Sequence, residues 1–422
     1  MPMQIKTLRI FFTDLLGVHR EVVALGRVEC SDAVIGVDGS SLYGYARVEK
    51  SDVFVAPASS SCIDIGEDGE VFATGVVCLD SRCRDRHPFD PRMVLERAVN
   101  YLSTQGYDAL VGVELEFYVV KSLAVSVDKA SQELRAEPLT MNFDVVKDYA
   151  KPLASPADAC VVEAATKYLS GVAVQKVHRE NGHLGQYEVS LGSKTPVEAG
   201  DSILLSINLL RRALRRKGLV AVFLPKPFSH DYGSGLHVHV SLWKDGVNLF
   251  ASSRDELLYF IGGLLEHSQS LAALTNPSVN SYRRLVEGYE APVYVSWGVA
   301  NRTTMIRVPA EGGRVEVRNP DASMSPYFGI AAILLAGLDG LKKKISPGDP
   351  IDYNVYVNNR GLKRLPRSLE EALDNLELDN EYLKPAFPAE LIETYIELKR
   401  EEARRARSTP APMDYALLSH LF

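Results

Sequence analysis

Cysteine and tryptophan are scarce in this chain, with five of one and two of the other in 422 residues. The cysteines (Cys30, Cys62, Cys78, Cys83 and Cys160) are scattered, odd in number and without a C-x-x-C pair. That excludes a disulfide scaffold and a zinc ribbon; reduced thiols in a cytoplasmic protein are expected, although Cys78 and Cys83 are near enough in sequence to bridge. Apolar runs are short. The stretch in MPMQIKTLRIFFTDLLGVHREV is interrupted, and the run around Ile330 to Leu338 is followed by Asp339 and three lysines, so neither reads as a signal or membrane helix. There is no basic surplus either. The 47 Lys and Arg stand against 54 Asp and Glu, a net charge of -7, so no global field collects nucleic acid or anionic lipid. Several catalytic signatures are missing as well. GSKT at Gly192 to Thr195 lacks the Walker A spacing, GSG at Gly233 to Gly235 is too short for a dinucleotide fingerprint, and neither G-x-S-x-G nor H-E-x-x-H occurs.

What remains is ordinary globular composition, 46% hydrophobic and 24% charged, with length for more than one domain. The first 85 or so residues are short β-prone runs (LRIFFTDL, REVVALG, DAVIGVDG, DVFVAPA, EVFATGVVCL) punctuated by Asp38-Gly39 and Asp68-Gly69. A polar stretch from Asp80 to Asp90 separates them from a helix opened by Asp90-Pro91-Arg92. The expected division is therefore residues 1–89, mostly β, and residues 90–422, an α+β unit. Within the second unit, strands are predicted at Leu110 to Val120, Ala173 to His178, Gly185 to Ser190, Leu236 to Leu242, Met305 to Val308 and Arg314 to Arg318. Helices are predicted at Pro156 to Leu169, Asp201 to Lys217, Glu256 to Leu274 and Tyr327 to Lys343, with a charged, largely solvated helix near the C-terminus.

The strands carry the chemistry. Alternate side chains leave opposite faces of a strand. VGVELEF puts Glu114 and Glu116 on one face, and LHVHVSL does the same with His237, His239 and Ser241. RVEVR adds Arg314, Glu316 and Arg318, and QYEVS adds Glu188 above Gln186. One such strand would be a solvated face with weak surface ion pairs. Four of them concentrate Glu and His where Lys, Thr and Ser are usual. Converging carboxylates need a cation among them, and Glu114, Glu116, Glu180, Glu188, Glu316 and His237 form an oxygen-rich set suited to Mg or Mn. Arg302, Arg307, Arg314 and Arg318, with Arg283 and Arg284 upstream, supply the guanidinium groups that phosphoryl transfer requires beside the metal.

Taken together these segments resemble the glutamine synthetase family. The resemblance runs through VDGSSLYGY (Val37 to Tyr45), GVELEFY (Gly112 to Tyr118), HRENGHLGQYEV (His178 to Val189) and LPKPFSHDYGSGLHVHVSLWKDGVNLF (Leu224 to Phe250). It continues through Thr275 to Pro309, VEVRNPDASMSPY (Val315 to Tyr327) and SPGDPIDYNVY (Ser346 to Tyr356), in family order. It implies an N-terminal β-grasp domain and a catalytic domain with a curved antiparallel sheet and outer helices. The implied enzyme is a glutamate-ammonia ligase: ATP phosphorylates the γ-carboxylate of glutamate, and ammonia displaces phosphate.

By resemblance, Glu116, Glu180 and Glu188 hold the metal nearest the acceptor carboxylate, and Glu114, His237 and Glu316 the metal at the ATP phosphates, with two or three Mg or Mn ions per site. Arg302, Arg307 and Arg318 meet phosphates and the substrate carboxylate, while Arg284 and Gly233 contact the amino-acid end. His239 and Ser241 lie on the nucleotide side. Glu290 is the flap glutamate, and Asp38 completes the ammonium pocket of a neighbouring subunit, which implies a homododecamer of stacked rings without nucleic acid or membrane partners. The pattern also departs from the family. Tyr232 replaces a usual Asn, Arg179 replaces a His, Gln175 stands for a common Glu, and Met141-Asn142-Phe143 replaces a Gly-Tyr-Phe. These changes admit an alternative, a γ-glutamyl ligase for a larger amine such as a polyamine or ethanolamine, or for another acid. A non-catalytic structural relative is disfavoured, since every expected metal ligand is kept.

Overall fold

The computed structural model describes residues 7–26, 30, 33–58, 61–64, 69–127, 132–139, 148–359, 361–408 and 418–422. The β-prone runs of the N-terminal region become β1 (Thr7–Thr13), β2 (His19–Leu25), β3 (Ile35–Asp38), β4 (Asp52–Pro57) and β6 (Glu70–Cys78). A two-residue strand β5 (Ile63–Asp64), too short to leave a pattern, was not anticipated. They form a six-stranded sheet ordered β2-β1-β6-β4-β3, with β5 on β6. β1 and β6 run parallel and the other pairs antiparallel, as a β-grasp unit requires. Two disulfides correct the expectation of reduced thiols. Cys30 is joined to Cys62 and Cys78 to Cys83, their Cα atoms 6.6 and 5.1 Å apart. The first pair is distant in sequence, so only the folded sheet brings it within disulfide reach.

The larger sheet is ten-stranded. Its members are β7 (Asp108–Val127), β8 (Gln132–Pro138), β9 (Val174–Arg179), β10 (Gln186–Lys194), β11 (Val220–Val222), β12 (Leu236–Lys244), β13 (Val247–Asn248), β14 (Trp297–Val299), β15 (Ile306–Val308) and β16 (Val315–Val317). The main order is β14-β15-β16-β12-β7-β10-β9, antiparallel throughout except for the parallel pair β14 and β15.

Helices cover one face of this sheet: α1 (Pro91–Thr104), α2 (Pro156–Glu163), α3 (Pro196–Arg216), α4 (Leu249–Ser252), α5 (Arg254–Glu266), α6 (Ser268–Thr275), α7 (Val279–Arg284), α8 (Pro326–Lys343), α9 (Leu369–Leu378) and α10 (Ala389–Ser408). Their starts follow local chemistry. Asp90 caps α1 ahead of Pro91, and Thr195 with Glu198 makes a capping box ahead of α3. α8 is apolar on almost every side and lies in the core against α5. Glycines permit that crossing: a Cβ at Gly263 would stand 2.1 Å from the Ala336 carbonyl oxygen, and one at Gly340 2.2 Å from that of Tyr259.

Two predicted helices differ from expectation. The stretch Glu256 to Leu274 divides at His267, whose imidazole is buried between Asp379 and Asp339 at 2.9 Å each and stacks on Tyr382. The ion pairs reward a break that the apolar periodicity did not register. α10 is not largely solvated: Leu391, Ile392, Tyr395, Ile396 and Ala403 are buried, and the Tyr395 hydroxyl donates to the Ala273 carbonyl at 2.7 Å. Counting charge over a whole helix concealed one apolar face.

The two sheets are tied by a buried polar knot. Asp201 of α3 accepts from Arg92 of α1 twice at 3.0 Å, from Thr74 of β6 at 3.0 Å and from Tyr327 of α8 at 2.8 Å. A buried carboxylate is tolerated when a guanidinium and two hydroxyls satisfy it.

Candidate active site

Strand register converts the sequence alternation into a row of polar groups crossing the larger sheet. Glu188 on β10 pairs with His178 on β9 and with Glu116 on β7. Glu114 on β7 pairs with His237 on β12, His239 with Glu316 on β16, and Glu316 with Arg307 on β15. The intervening residues Val113, Leu115, Val238, Val240, Val315 and Val317 face the core and hold the row in place.

Two tight groups stand out among the described residues. In one, ligand atoms of Glu114, His239 and Glu316 lie within 4.8 Å of each other; in the other, those of His178, Glu180 and Glu188 do. These groupings refine the expected ones. His239 stands in the first cluster where His237 was expected, yet His237 lies beside that cluster, with Nδ1 3.2 Å from Glu114 and 3.5 Å from Glu316, and its Nε2 is 3.6 Å from Glu116. His178 was missed as a candidate. Its neighbours on β9 gave no alternating pattern to mark it, but its Nε2 is 3.2 Å from Glu188.

The electrostatics are those of crowded carboxylates. Burial, with repulsion from Glu116 and Glu188, pushes the Glu180 carboxyl up to about 8. Burial also opposes ionisation of Glu114, Glu188 and Glu316. In these three, hydrogen bonds or charge from His237 and His239, from His178, and from His237 and Arg318 respectively overcome it and hold the carboxyls below their ordinary range. The His178 and His237 imidazoles are burdened by burial but raised by their carboxylate partners. Clustered carboxylates and imidazoles of this kind suit a divalent cation: the donors are hard oxygens with nitrogen at the margin.

Below the row opens a cavity of about 360 Å³. Of the predicted residues, Glu116, Glu180, Glu188, His237, Gly233, Arg284, Glu290, Arg302 and Arg318 line it. Glu114, Glu316, His239 and Arg307 adjoin it along the strands, Arg307 and Arg318 both pairing with Glu316. Ser241 stands further along β12, accepting from the Trp243 indole at 2.9 Å. Asp38 is not in this cavity: it is exposed at the end of β3, accepting from Ser40 and Ser41.

The floor is tight. A Cβ at Gly233 would meet Arg284 Cγ at 2.6 Å, and one at Gly235 would meet Arg284 Nη2 at 2.6 Å and His237 Nε2 at 2.8 Å. The GSG run is therefore a close-approach device rather than a nucleotide loop. It lets the Gly235 N–H donate to Glu116 at 2.7 Å. Arg284 is buried and donates to the carbonyls of Arg318, Asn319 and Pro320, which fixes it at the cavity edge.

Aromatic groups form the rest of the lining. Tyr149, Tyr232 and Tyr289 all face the cavity, Tyr232 and Tyr289 meeting edge to face at 5.9 Å. Lys226 lies 3.6 Å from the Tyr289 ring centroid. The exchange expected at Met141-Asn142-Phe143 lies outside the described residues; the Tyr149 ring meets that of His178 at 5.2 Å. Glu290 holds a left-handed backbone, φ 60°, and accepts from Asn181 at 3.2 Å. Arg179, which replaces a family histidine, turns away to Asp158 at 2.9 Å.

The same segments match known proteins. The family profile for the glutamine synthetase catalytic domain matches residues 88–418. The chain belongs to the glutamine synthetase family. Glutamine synthetase of Sulfolobus acidocaldarius is 36% identical, over 97% of this chain and 94% of its own length. That of Escherichia coli K12 is 33% identical, over 98% and 96%. Among solved structures, GmaS with ADP superposes with a TM-score of 0.84 at 28% identity, covering 98% of this chain and 97% of that one. Plasmodium falciparum glutamine synthetase, at 24% identity and a TM-score of 0.83, shares the fold. The chain is thus an ATP-dependent carbon-nitrogen ligase of the glutamine synthetase superfamily, with the α+β architecture of that fold. No helix among the described residues is long and apolar enough to cross a membrane.

Proposed function

We propose that this ligase joins the γ-carboxyl of glutamate to an organic amine larger than ammonia, an alkylamine, ethanolamine or a polyamine. The observation that carries this reading is the aromatic and acidic lining. Tyr149, Tyr232 and Tyr289 surround the approach to Glu290, and Tyr232 stands where the family resemblance leads one to expect Asn. Tyrosine faces attract an organic ammonium and its carbon substituents together, whereas a bare ammonium ion needs only oxygen ligands. The overall likeness to GmaS, solved with ADP, supports a nucleotide in the same cavity.

In this reading residues 90–422 carry the chemistry and residues 1–89 present Asp38 to a neighbouring subunit's site. ATP passes its γ-phosphoryl group to a carboxylate oxygen, giving an acyl phosphate and ADP. The amine nitrogen then attacks the acyl carbon, phosphate leaves with its bonding electrons, and the ammonium proton goes to Glu290. Arg284 and Gly233 hold the amino-acid end; Arg302, Arg307 and Arg318 meet the transferring phosphoryl, with His239 and Ser241 on the nucleotide side. Glu116, Glu180 and Glu188, and Glu114, His237 and Glu316, would hold Mg or Mn, with His178 and His239 at the margins. Those cations would neutralise developing charge on the phosphoryl oxygens. A site shared through Asp38 requires a closed ring, for which a homododecamer is proposed, and dependence on ATP fits a cytoplasmic enzyme.

Ammonia as the amine is the second reading, favoured by Arg284, Glu290 and Asp38, which keep the family pattern, and by curated relatives called glutamine synthetase. The deciding experiment supplies Mg, ATP and glutamate with ammonium, methylamine, ethanolamine or spermidine, and follows phosphate release and the amide by mass spectrometry. An organic amine should give the larger kcat/KM. Turnover confined to ammonium overturns the proposal in favour of the second reading, and phosphate release without any amide overturns both.

A further inference from the structure

A second cavity, of about 340 Å³, opens where the C-terminal end of α3 meets β1, β2 and β11. α3 spans 21 residues, about 30 Å, and its opposite end follows directly from β10, so this cavity is separate from the ligase site. Four guanidinium groups line it, from Arg211, Arg212, Arg215 and Arg216, against Glu21 and an apolar patch that includes Phe11.

The cationic surplus is only partly met within the protein. Glu70 takes Arg212 at 2.6 Å and Arg216 at 3.0 Å while also taking Arg9 at 2.9 Å, and Arg9 further engages Glu21 at 2.7 Å. Arg211 donates to the main-chain oxygen of Phe422, which also lines the cavity, at 2.7 Å. Among the described residues, the buried Nε–H groups of Arg211 and Arg212 have no acceptor. An unmet buried donor is costly, more so on a charged group.

The neighbouring titratable groups respond to burial first and to these guanidinium charges second. Burial, with the neighbouring Arg215 charge, brings the Arg211 guanidinium down to about 10. Behind it, burial and the Arg211 charge bring the His19 imidazole down to about 3, and His420, 5.4 Å from His19, is likewise pushed well below its ordinary value. Both imidazoles are thus kept neutral beside the cluster.

We propose that this cavity binds a small phosphorylated organic anion. Several guanidinium forks arriving from successive turns of one helix match a tetrahedral phosphate, whose oxygens accept from several directions, better than a planar carboxylate that takes one fork. Phe11, Val220 and Ala221 give the organic body an apolar wall. Because β1 and β2 belong to the N-terminal sheet and α3 and β11 to the catalytic part, the bound anion clamps one onto the other. The inference does not depend on which amine the ligase uses.

The test is calorimetric titration of the full-length protein in metal-free buffer with ribose 5-phosphate, pyrophosphate and citrate. Three variants are compared: Arg211→Gln/Arg215→Gln, Arg215→Gln alone, and Arg318→Gln at the ligase site. Both phosphate compounds should bind wild type and Arg318→Gln alike, at least about tenfold more weakly in the double variant, and should raise the wild-type unfolding midpoint. Arg215 is exposed, so its single variant keeps the test open if the double variant does not fold; it should weaken binding about threefold or more. Unchanged binding in the folded Arg211/Arg215 variants, loss of binding in Arg318→Gln, citrate binding as tightly as pyrophosphate, or no binding at millimolar concentration would each overturn the proposal.

Discussion

Glu116, Glu188, His237 and Glu316 sit on neighbouring strands with their positions fixed by backbone register, whereas Tyr149, Tyr232, Tyr289 and Glu290, in the same neighbourhood, all come from loops. The strand-borne groups are buried or half-buried and lean on one another at 3 to 4 Å. The loop-borne ones are held by ring contacts, by hydrogen bonds of the Tyr232 backbone with Tyr118 and Asp231, and by the Asn181 hydrogen bond given to Glu290. The contrast matches two chemical tasks. Phosphoryl transfer needs charges preorganised at fixed distances, and a sheet supplies them. Amine choice needs a surface that can change in shape without disturbing those charges, and loops supply that.

The comparison breaks most completely if a strand-borne carboxylate proves dispensable. Glu116→Gln, which keeps the shape and the Gly235 contact but removes charge, should lower ATP-dependent phosphate release by roughly a thousandfold with every amine tested. A normal rate would remove the row from the mechanism.

The next effect concerns stability rather than rate. Glu180 is raised from 4.5 to about 8 by burial and like charge. Between those values the native state keeps a proton that the unfolded chain has lost, so the stabilising contribution is full below about 4.5 and is lost as pH rises through 8. His178 and His237, raised by their carboxylate partners, act in the same direction. The metal-free protein should therefore lose on the order of a few kcal/mol between pH 6 and pH 8.5, and a divalent cation, which selects the ionised carboxyls, should cancel the loss. Thermal unfolding midpoints with and without Mg check it; a flat midpoint in the metal-free protein would sink the account.

The loop-borne groups should answer differently. Tyr232→Ala removes one ring of the lining without touching a charge. It should shift the ratio of kcat/KM for an alkylamine over ammonium by roughly ten- to a hundredfold toward ammonium, leaving ATP-driven acyl phosphate formation within about threefold. An equal loss with both amines would make Tyr232 structural and dissolve the distinction between the two sets of residues.

Legibility in the sequence follows the same division. The alternation in VGVELEF, LHVHVSL and QYEVS marked both the strands and the faces that bear Glu114, Glu116, His237 and Glu188, because a period of two is imposed by the backbone itself. His178 escaped notice because β9 carries one candidate ligand and charged neighbours, so no apolar alternation framed it. Tyr149 and Tyr289 left no local signal, since loop residues converge through chain paths that no short window encodes. The break at His267 depended on Asp339 and Asp379, far away in sequence. The run of arginines named Arg284, whereas Glu290 entered only through resemblance to a family.

Asn181 offers the smallest and sharpest test. Its side-chain amide donates to Glu290 at 3.2 Å across an exposed edge, and Glu290 occupies a left-handed backbone conformation that a non-glycine residue adopts at some cost. If the loop wall is adaptable, losing this hydrogen bond allows Glu290 to sample other positions but leaves it able to reach the amine. Asn181→Ala should then reduce kcat/KM for the amine about threefold, the scale of one partly solvated hydrogen bond, with KM for ATP unchanged. Glu290→Gln, which removes the proposed base, should cost far more. A loss in Asn181→Ala as large as in Glu290→Gln would mean that the loop wall is as rigidly preorganised as the strand row, and that amine choice is built into the sheet after all.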